Sequence, residues 1–236
     1  MASGSGAVYT RAGMSLTSNS KAAWITAGGL CIALIAPVLP PLVGSLAGWP
    51  ELSRARLGWG IVFHWLIFAA IVAWVVLIER RNLASIGVRP LRWWTLPLGL
   101  IGGVVTLGVA GSLIDLLRLP GGTSYADYLM SQPFPIRLLL VMTAGVFEET
   151  AYRGYALERL TPLLGSKWLA AAVTVLCFAF AHTPAVGFNH VLPVLIVSIP
   201  ITLLYLWRRD LVLNMVAHAT VDAISLLVVP AIGGSR

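Results

Sequence analysis

The sequence predicts an all-α, polytopic transmembrane bundle of about seven helices, or eight if the first apolar run contains two crossings. Of the 236 residues, 58% are hydrophobic and only 11% are charged, whereas soluble domains average about 25% charged residues. A water-soluble fold of this length could not hide so much apolar surface. The composition excludes a disordered protein, a secreted disulfide scaffold and an ordinary cytosolic enzyme.

Long uncharged stretches locate the spans. Asp, Glu, Lys and Arg are all absent between Lys21 and Glu51, Arg56 and Glu79, Arg92 and Asp115, and Lys167 and Arg208. A crossing helix needs about 20 apolar residues, and the last stretch is long enough for two. The runs are continuous rather than alternating, which favours helices over a β-barrel. We predict spans at residues 23–47, 58–78, 94–117, 136–158, 167–183, 188–207 and 211–230.

The organisation outside and within these spans is simple. Residues 1–21 are small and polar and predict a flexible N-terminal tail. Residues 22–236 are predicted to form a single transmembrane domain, because the loops are short and no internal repeat is visible. Pro37, Pro40 and Pro41 predict that the first span kinks or ends early. In the third span, Gly99 and Gly103 have the GxxxG spacing that permits close helix packing.

The net charge of +7 comes mostly from basic residues between the apolar runs. If the N-terminus is cytoplasmic, more Lys and Arg lie on the cytoplasmic side, as the positive-inside rule requires. We therefore predict a multi-pass protein of the plasma (cell) membrane with a cytoplasmic N-terminus. The lipid bilayer is its expected partner, and nucleic acid is not. Cys31 and Cys177 lie inside apolar runs, so neither a disulfide nor a metal cluster is predicted.

Ionisable residues interrupt three of the spans, although each costs about 2.5–3.5 kcal/mol at a helix centre on insertion scales. Glu148 and Glu149 lie in the middle of the fourth span. Glu149 and Arg153 are spaced i,i+4 with the acid first, which favours an ion pair. Glu148 has no such cation within one turn, which makes it a candidate general base. The alternative is that both acids belong to a structural salt-bridge network.

Histidines mark the other two spans. His182 ends the fifth span just before Thr183-Pro184, where the proline disfavours helix and the ring can project into a cavity. A satisfied buried histidine is the alternative. In the seventh span, Asn214, His218 and Asp222 are spaced i, i+4, i+8 and form one polar stripe. This stripe is compatible with interhelical hydrogen bonding, a proton relay or an anion-stabilising pair.

Two further histidines look less suited to chemistry. His64 lies in an aromatic patch of the second span, and His190 begins the sixth span beside Asn189. We interpret both as packing or interfacial residues.

The polar residues of the three spans suit hydrolysis. A carboxylate and an imidazole can activate a water, and a second imidazole can stabilise the oxyanion of a tetrahedral intermediate. No serine or cysteine nucleophile motif competes with this set. Glu148, His182 and His218 would also make a zinc ligand set, although the His-Glu-x-x-His pattern is absent.

Three motifs in order resemble a known family. Glu148-Glu149-Thr-Ala-Tyr-Arg153-Gly154 is similar to EExxxR(G), Phe178 and His182 to FxxxH, and His218 and Asp222 to HxxxN/D. This pattern resembles the CPBP (CAAX protease and bacteriocin-processing, or Abi) family of intramembrane proteases, which includes the CAAX prenyl endopeptidase. The resemblance covers about residues 95–230.

The resemblance implies roles for these positions. Glu148 and His182 would activate the hydrolytic water, His218 and Asp222 would line the oxyanion side, and Glu149 and Arg153 would support the site. It also implies a peptide or protein substrate, membrane-anchored or lipidated, and a glutamate-dependent mechanism with no cofactor. Zinc bound by Glu148, His182 and His218 remains the alternative.

Two positions depart from the family pattern. Asp222 stands where prenyl-processing members have asparagine, and an ionised aspartate cannot donate to an oxyanion. It would orient His218 instead, or be protonated. Ser198-Ile199-Pro200 precedes the Leu204-Tyr205-Leu206 segment, where members often have a glycine-rich stretch. This difference bears on the shape of the substrate cavity.

Three functions are compatible with the sequence. The first is an intramembrane endopeptidase that cleaves near the end of a membrane-anchored or lipidated, CAAX-like substrate. The second is a non-proteolytic membrane binding or bacteriocin-immunity protein on the same fold. The third is a small proton-coupled carrier, which the lack of repeated halves disfavours.

Overall fold

The computed structural model describes residues 9–232, with the backbone alone for residues 9–20. Every regular element in this range is helical, which confirms the all-α prediction. The α-helices are α1 (Tyr9–Leu34), α2 (Leu39–Leu46), α3 (Arg54–Ala73), α4 (Thr95–Leu116), α5 (Ser124–Met130), α6 (Phe134–Glu148), α7 (Glu158–Leu164), α8 (Lys167–Ala181), α9 (Thr183–Val186), α10 (Val191–Arg208), α11 (Leu211–Ala223) and α12 (Val229–Ile232).

Several α-helices continue directly into other helical geometries. Three π-helical segments follow α3, α6 and α11, at Trp74–Ile78, Glu149–Leu157 and Ile224–Val228. The segment Glu149–Leu157 joins α6 to α7, so that residues 134–164 form one uninterrupted rod. Short 3-10 turns occupy Ala36–Val38, Leu83–Ile86 and Phe188–His190.

Within the described part of the chain, six helices are long and apolar enough to cross a membrane. They are Lys21–Leu46, Arg54–Ile78, Thr95–Leu116, Lys167–Val186, Phe188–Arg208 and Leu211–Ile232. The other predicted span, 136–158, lies within the rod of residues 134–164, whose charged residues set it apart from these six. This rod is the central helix, because residues 149–157 are all buried and contact α1, α3, α8 and α11. The protein is thus a polytopic helical bundle.

The N-terminal part partly follows the sequence-based expectations. The first span breaks at its prolines as predicted, because α1 ends at Leu34 and α2 begins only at Leu39. The backbone is helical from Tyr9, although no helix is predicted from the sequence before residue 22. Residues 1–8 of the predicted tail lie outside the described residues, and its flexibility stays a prediction. The short helix α5 is absent from the sequence-based prediction.

Glycines allow α11 to approach both of its neighbours closely. A Cβ added at Gly99 or Gly103 on α4 would collide with backbone carbonyl oxygens of α11. This confirms the close packing predicted from the GxxxG spacing. Gly145 on α6 faces α11 in the same way, with Met215 O and the Ala219 side chain at its open side. Because α11 carries the Asn214, His218 and Asp222 stripe, these contacts position the stripe against the central helix.

Candidate active site

Both carboxylate oxygens of Glu149 accept hydrogen bonds within the polar cluster. Glu149 is 0% exposed. Its Oε1 accepts from Arg153 Nη1 at 2.8 Å and from His218 Nδ1 at 2.7 Å. Its Oε2 accepts from Asn214 Nδ2 at 2.6 Å. The ion pair expected from the i,i+4 spacing is present, and the same carboxylate also joins the central helix to α11.

Arg153 extends this cluster to α10 and α8. Its Nη2 donates to Ser198 Oγ at 2.7 Å, and its Nε donates to Thr202 Oγ1 at 3.2 Å. The guanidinium also lies 4.7 Å from the ring centroid of Phe178, at cation–π distance. Sequence reasoning missed Ser198 and Thr202 as partners, although two hydroxyls four residues apart in an apolar helix are a usable signal.

Glu148, the neighbouring acid, faces a different surrounding. Its Oε2 lies 3.7 Å from His218 Nε2 and 4.0 Å from His182 Nε2. These gaps exceed hydrogen-bond length, and a water commonly bridges groups at such separations. The Glu148 side chain is 17% exposed. The structure therefore brings Glu148, His182 and His218 together around a space that water can enter.

Hydrogen bonds on the far side of each imidazole fix its orientation. His182 Nδ1 lies 2.8 Å from the carbonyl oxygen of Phe178. A carbonyl can only accept, so this nitrogen carries the hydrogen, and in the neutral ring Nε2 presents its lone pair toward Glu148. His218 donates from Nδ1 to Glu149, which leaves its Nε2 facing Glu148 as well. Both rings thus turn Nε2 toward the same space.

The residues of the polar stripe on α11 have different partners. Asn214 bonds to Glu149, whereas Asp222 Oδ2 lies 3.6 Å from His218 Nε2. The Asp222 side chain is 27% exposed, whereas Asn214 and His218 are buried. Asp222 therefore faces the imidazole nitrogen that is available for chemistry.

The three residues of the predicted zinc set lie farther apart than ligands of a tetrahedral zinc site. Zinc ligands lie about 2.0–2.2 Å from the metal, which places neighbouring ligand atoms about 3.3 Å apart in a tetrahedral site. The 3.7 Å and 4.0 Å separations around Glu148 are wider. Among the described residues, no group of three His, Cys, Asp or Glu side chains is arranged to hold a metal ion.

The remaining histidines and cysteines lie in different surroundings. His64 stacks on Phe147, the residue before Glu148, with ring centroids 4.5 Å apart. His190 Nε2 lies 2.9 Å from the carbonyl oxygen of Gly121, at one end of the bundle. Cys31 and Cys177 are both free thiols, as predicted.

The comparison with known families bears directly on this cluster. A family model described as type II CAAX prenyl endopeptidase Rce1-like matches residues 130–224. Residues 130–224 are therefore similar to this family. The match confirms the resemblance seen in the three motifs and indicates a membrane protease of the CAAX type, a hydrolase. Neither the curated proteins nor the solved structures include a match to the chain.

The Rce1-like segment contains the whole bonded cluster. It begins in α5, includes the central helix, and ends just after α11. All the residues that bond to Glu149 or face Glu148 in the preceding paragraphs lie inside it. His64 lies outside it, on α3.

Proposed function

We propose that the protein is an intramembrane endopeptidase that hydrolyses a peptide bond near the end of a membrane-anchored or lipidated, CAAX-like substrate. The observation that carries this proposal is the placement of Glu148 Oε2 between two imidazole nitrogens, 3.7 Å and 4.0 Å away. A carboxylate and an imidazole around a water-sized gap are the parts needed to activate a water. The Rce1-like match supports the same reaction class.

Water activation falls to Glu148 and His182 in this mechanism. A water in the gap donates one hydrogen to Glu148 Oε2 and the other to His182 Nε2, since both atoms can accept. As its oxygen attacks the peptide carbonyl, Glu148 takes the proton. The same proton then passes to the leaving nitrogen as the C–N bond breaks, which leaves a carboxylic acid and an amine. The second proton of the original water, hydrogen-bonded to His182 Nε2, is then lost from the acid to this imidazole, which gives the carboxylate product.

Oxyanion stabilisation falls to His218. Its Nδ1 is held by Glu149 at 2.7 Å, so the ring is locked before substrate arrives. We propose that the ring acts as an imidazolium and donates from Nε2 to the carbonyl oxygen as negative charge develops there. Asp222, 3.6 Å from the same nitrogen, would orient it. Glu149 and Arg153 are framework residues that keep His218 in place.

We propose that this chemistry needs no metal or other cofactor. The alternative is a zinc ion on Glu148, His182 and His218, which would have to draw these side chains closer together. Treatment with a strong chelator separates the two. We expect activity to survive treatment, whereas a loss that zinc restores would support the alternative.

The direction of the bundle in the membrane is a further part of the proposal. We propose a cytoplasmic N-terminus in the plasma (cell) membrane, because this orientation places more Lys and Arg on the cytoplasmic side. Reporter domains fused in turn to the N-terminus and to the loop between α2 and α3 test it. We expect the N-terminal fusion to report the cytoplasm and the loop fusion to report the opposite side.

The decisive experiment measures cleavage by the full-length protein in proteoliposomes. The probes are an internally quenched peptide ending in a farnesylated CAAX sequence, the same peptide without the lipid, and a membrane-anchored peptide. We expect Glu148→Gln to lower kcat/KM by about 10²–10⁴-fold, and His182→Ala to do the same. Glu51→Gln, which changes an exposed acid in a loop, is the matched control.

Two results would contradict this proposal. Full activity in Glu148→Gln would remove the general base. If the wild-type protein cleaves no probe but protects cells from a bacteriocin, and Glu148→Gln protects equally, the non-proteolytic immunity function is correct.

A further inference from the structure

His64 lies at the middle of α3, a helix that carries none of the three motifs. Its ring stacks on Phe147 with 4.5 Å between centroids and 23° between planes. Phe147 is 2% exposed and directly precedes Glu148 in the central helix. The stacking therefore turns the imidazole of His64 inward, toward the part of the central helix that carries the candidate general base.

The ionisable neighbours of His64 are those of the candidate active site. Glu148 and His182 both lie close enough to interact electrostatically with its ring. No hydrogen bond joins either ring nitrogen to another residue in the range 21–232, and both nitrogens keep some accessible surface. Accessible nitrogens on an inward-facing ring can bond to water, and such a water can bridge the imidazole to a neighbouring polar group.

A cavity ends about one helical turn from the same ring. It has a volume of about 270 Å³ and lies between α3 and the start of α6. Its α3 wall consists of Arg54, Leu57, Gly58 and Ile61, which share one face of the helix. His64 follows Ile61 by one turn along this face. The cavity wall on α3 therefore ends one turn before His64.

The carboxylate of Glu148 lacks a contact that would hold it in one orientation. Its Oε2 has imidazole nitrogens at 3.7 Å and 4.0 Å, and neither contact is a direct hydrogen bond. A glutamate side chain has several rotatable bonds, so ordering it costs conformational entropy. Without a further contact, the carboxylate is free to turn away from the gap in which the water must be activated.

We propose that His64 is a positioning residue for Glu148. Through a bridging water, its ring hydrogen-bonds to the carboxylate and keeps Oε2 directed at His182 and His218. Three helices, α3, α8 and α11, then each place one imidazole around a single carboxylate. This inference rests on the proposed function, in which Glu148 is the general base.

Two substitutions separate a polar role from a packing role. His64→Phe keeps a flat ring on Phe147 and removes both nitrogens, whereas His64→Gln keeps a donor and an acceptor. We expect His64→Phe to lower kcat by about 10–100-fold, because a small misplacement of a catalytic group has effects of this size, with KM changed less than about twofold. We expect His64→Gln to recover at least part of kcat. His190→Phe is the control, since that histidine bonds to Gly121 at a bundle end.

A second readout does not depend on turnover. The carboxylate stretching band of Glu148 is identified in infrared difference spectra by its loss in Glu148→Gln. We expect His64→Phe to shift this band and His190→Phe to leave it unchanged. If the wild-type protein cleaves no probe, the proposed function fails, while the band still decides whether His64 contacts Glu148.

The inference is overturned by either of two results. One is a His64→Phe variant with wild-type kcat and an unshifted band. The other is an equal loss of activity and of thermal stability in His64→Phe and His64→Gln, which would show that the ring acts by packing.

Discussion

Glu148 and Glu149 are adjacent in the chain and face opposite kinds of surrounding. Glu149 is 0% exposed and accepts three hydrogen bonds of 2.6–2.8 Å, from Arg153, Asn214 and His218. Glu148 is 17% exposed, and the nearest imidazole nitrogen is 3.7 Å away. Full bonding makes a carboxylate a rigid framework group, whereas open gaps leave its neighbour able to exchange a proton. Consecutive helical positions point about 100° apart, which is what allows one segment to supply both.

The largest expected difference between the two acids is in the free energy of unfolding that is lost when each is replaced by alanine. Glu149→Ala leaves the guanidinium of Arg153 buried without its counter-charge, and losing one partner of a buried pair destabilises by about 3–5 kcal/mol. Glu148→Ala removes no direct hydrogen bond, so we expect a change below about 1 kcal/mol. Unfolding of both variants in the same detergent checks this. Equal losses of stability would contradict the conclusion that Glu149, and not Glu148, is a framework group.

The comparison also depends on the position of α11, which supplies partners to both acids. A Cβ in Gly103→Ala would press on the carbonyl oxygen of Ala217 and on Thr220. We expect a loss of about 1–3 kcal/mol, typical of overpacking, together with lower kcat because His218 moves with the helix. Gly108→Ala on the same helix, where the new Cβ meets nothing within 4 Å, should leave both quantities nearly unchanged. Similar behaviour of the two variants would show that α11 tolerates displacement.

A substitution at Asp222 tests how strongly the surroundings of Glu148 depend on a second acid. An asparagine at this position can still accept a hydrogen bond from His218 Nε2, 3.6 Å away. We therefore expect Asp222→Asn to change kcat/KM by less than about tenfold, or about 1.4 kcal/mol. Steady-state cleavage of the peptide probe measures it. A loss approaching that of Glu148→Gln would instead place Asp222 among the essential acids.

The smallest effect is expected at an ion pair near the end of the bundle. Arg209 bonds to Glu158 through two nitrogens at 2.5–2.6 Å, but its side chain is 52% exposed. Exposed pairs contribute about 0–1 kcal/mol, and Glu158 keeps its bond from Tyr205 when the arginine is removed. We expect the free energy of unfolding of Arg209→Ala to lie within about 1 kcal/mol of the wild-type value. A loss as large as that of Glu149→Ala would show that length of contact, rather than burial, sets the strength of these pairs.

Much of the fold and part of the site could be predicted from the sequence. The spans follow from the spacing of charged residues, because lipid excludes charge from long segments. The Glu149–Arg153 pair follows from helical spacing alone. Both inferences depend only on residues that are close together in sequence. Such patterns remain valid in the folded protein when the segment is strongly helical.

Charge spacing and helical periodicity do not predict which residues of different helices contact each other. Nothing in residues 149–157 signals a π-helix, and this geometry changes which faces of the central helix meet α8 and α11. The stripe on α11 appears uniform in sequence, yet Asn214 bonds to Glu149 while Asp222 faces His218. Which helices lie side by side decides these contacts. The same reason explains why sequence reasoning assigns no partner to Thr202, which accepts from Arg153 Nε.

The burial of the central helix has a consequence for biogenesis. Residues 149–157 are enclosed on every side, and they include a glutamate and an arginine that face no lipid. A lone helix of this composition would partition poorly into a bilayer. Of the helices that contact it, α1 and α3 precede it in the chain, so they can receive it as it inserts. Insertion of this segment is therefore an assembly step, in which earlier helices act as an intramolecular chaperone.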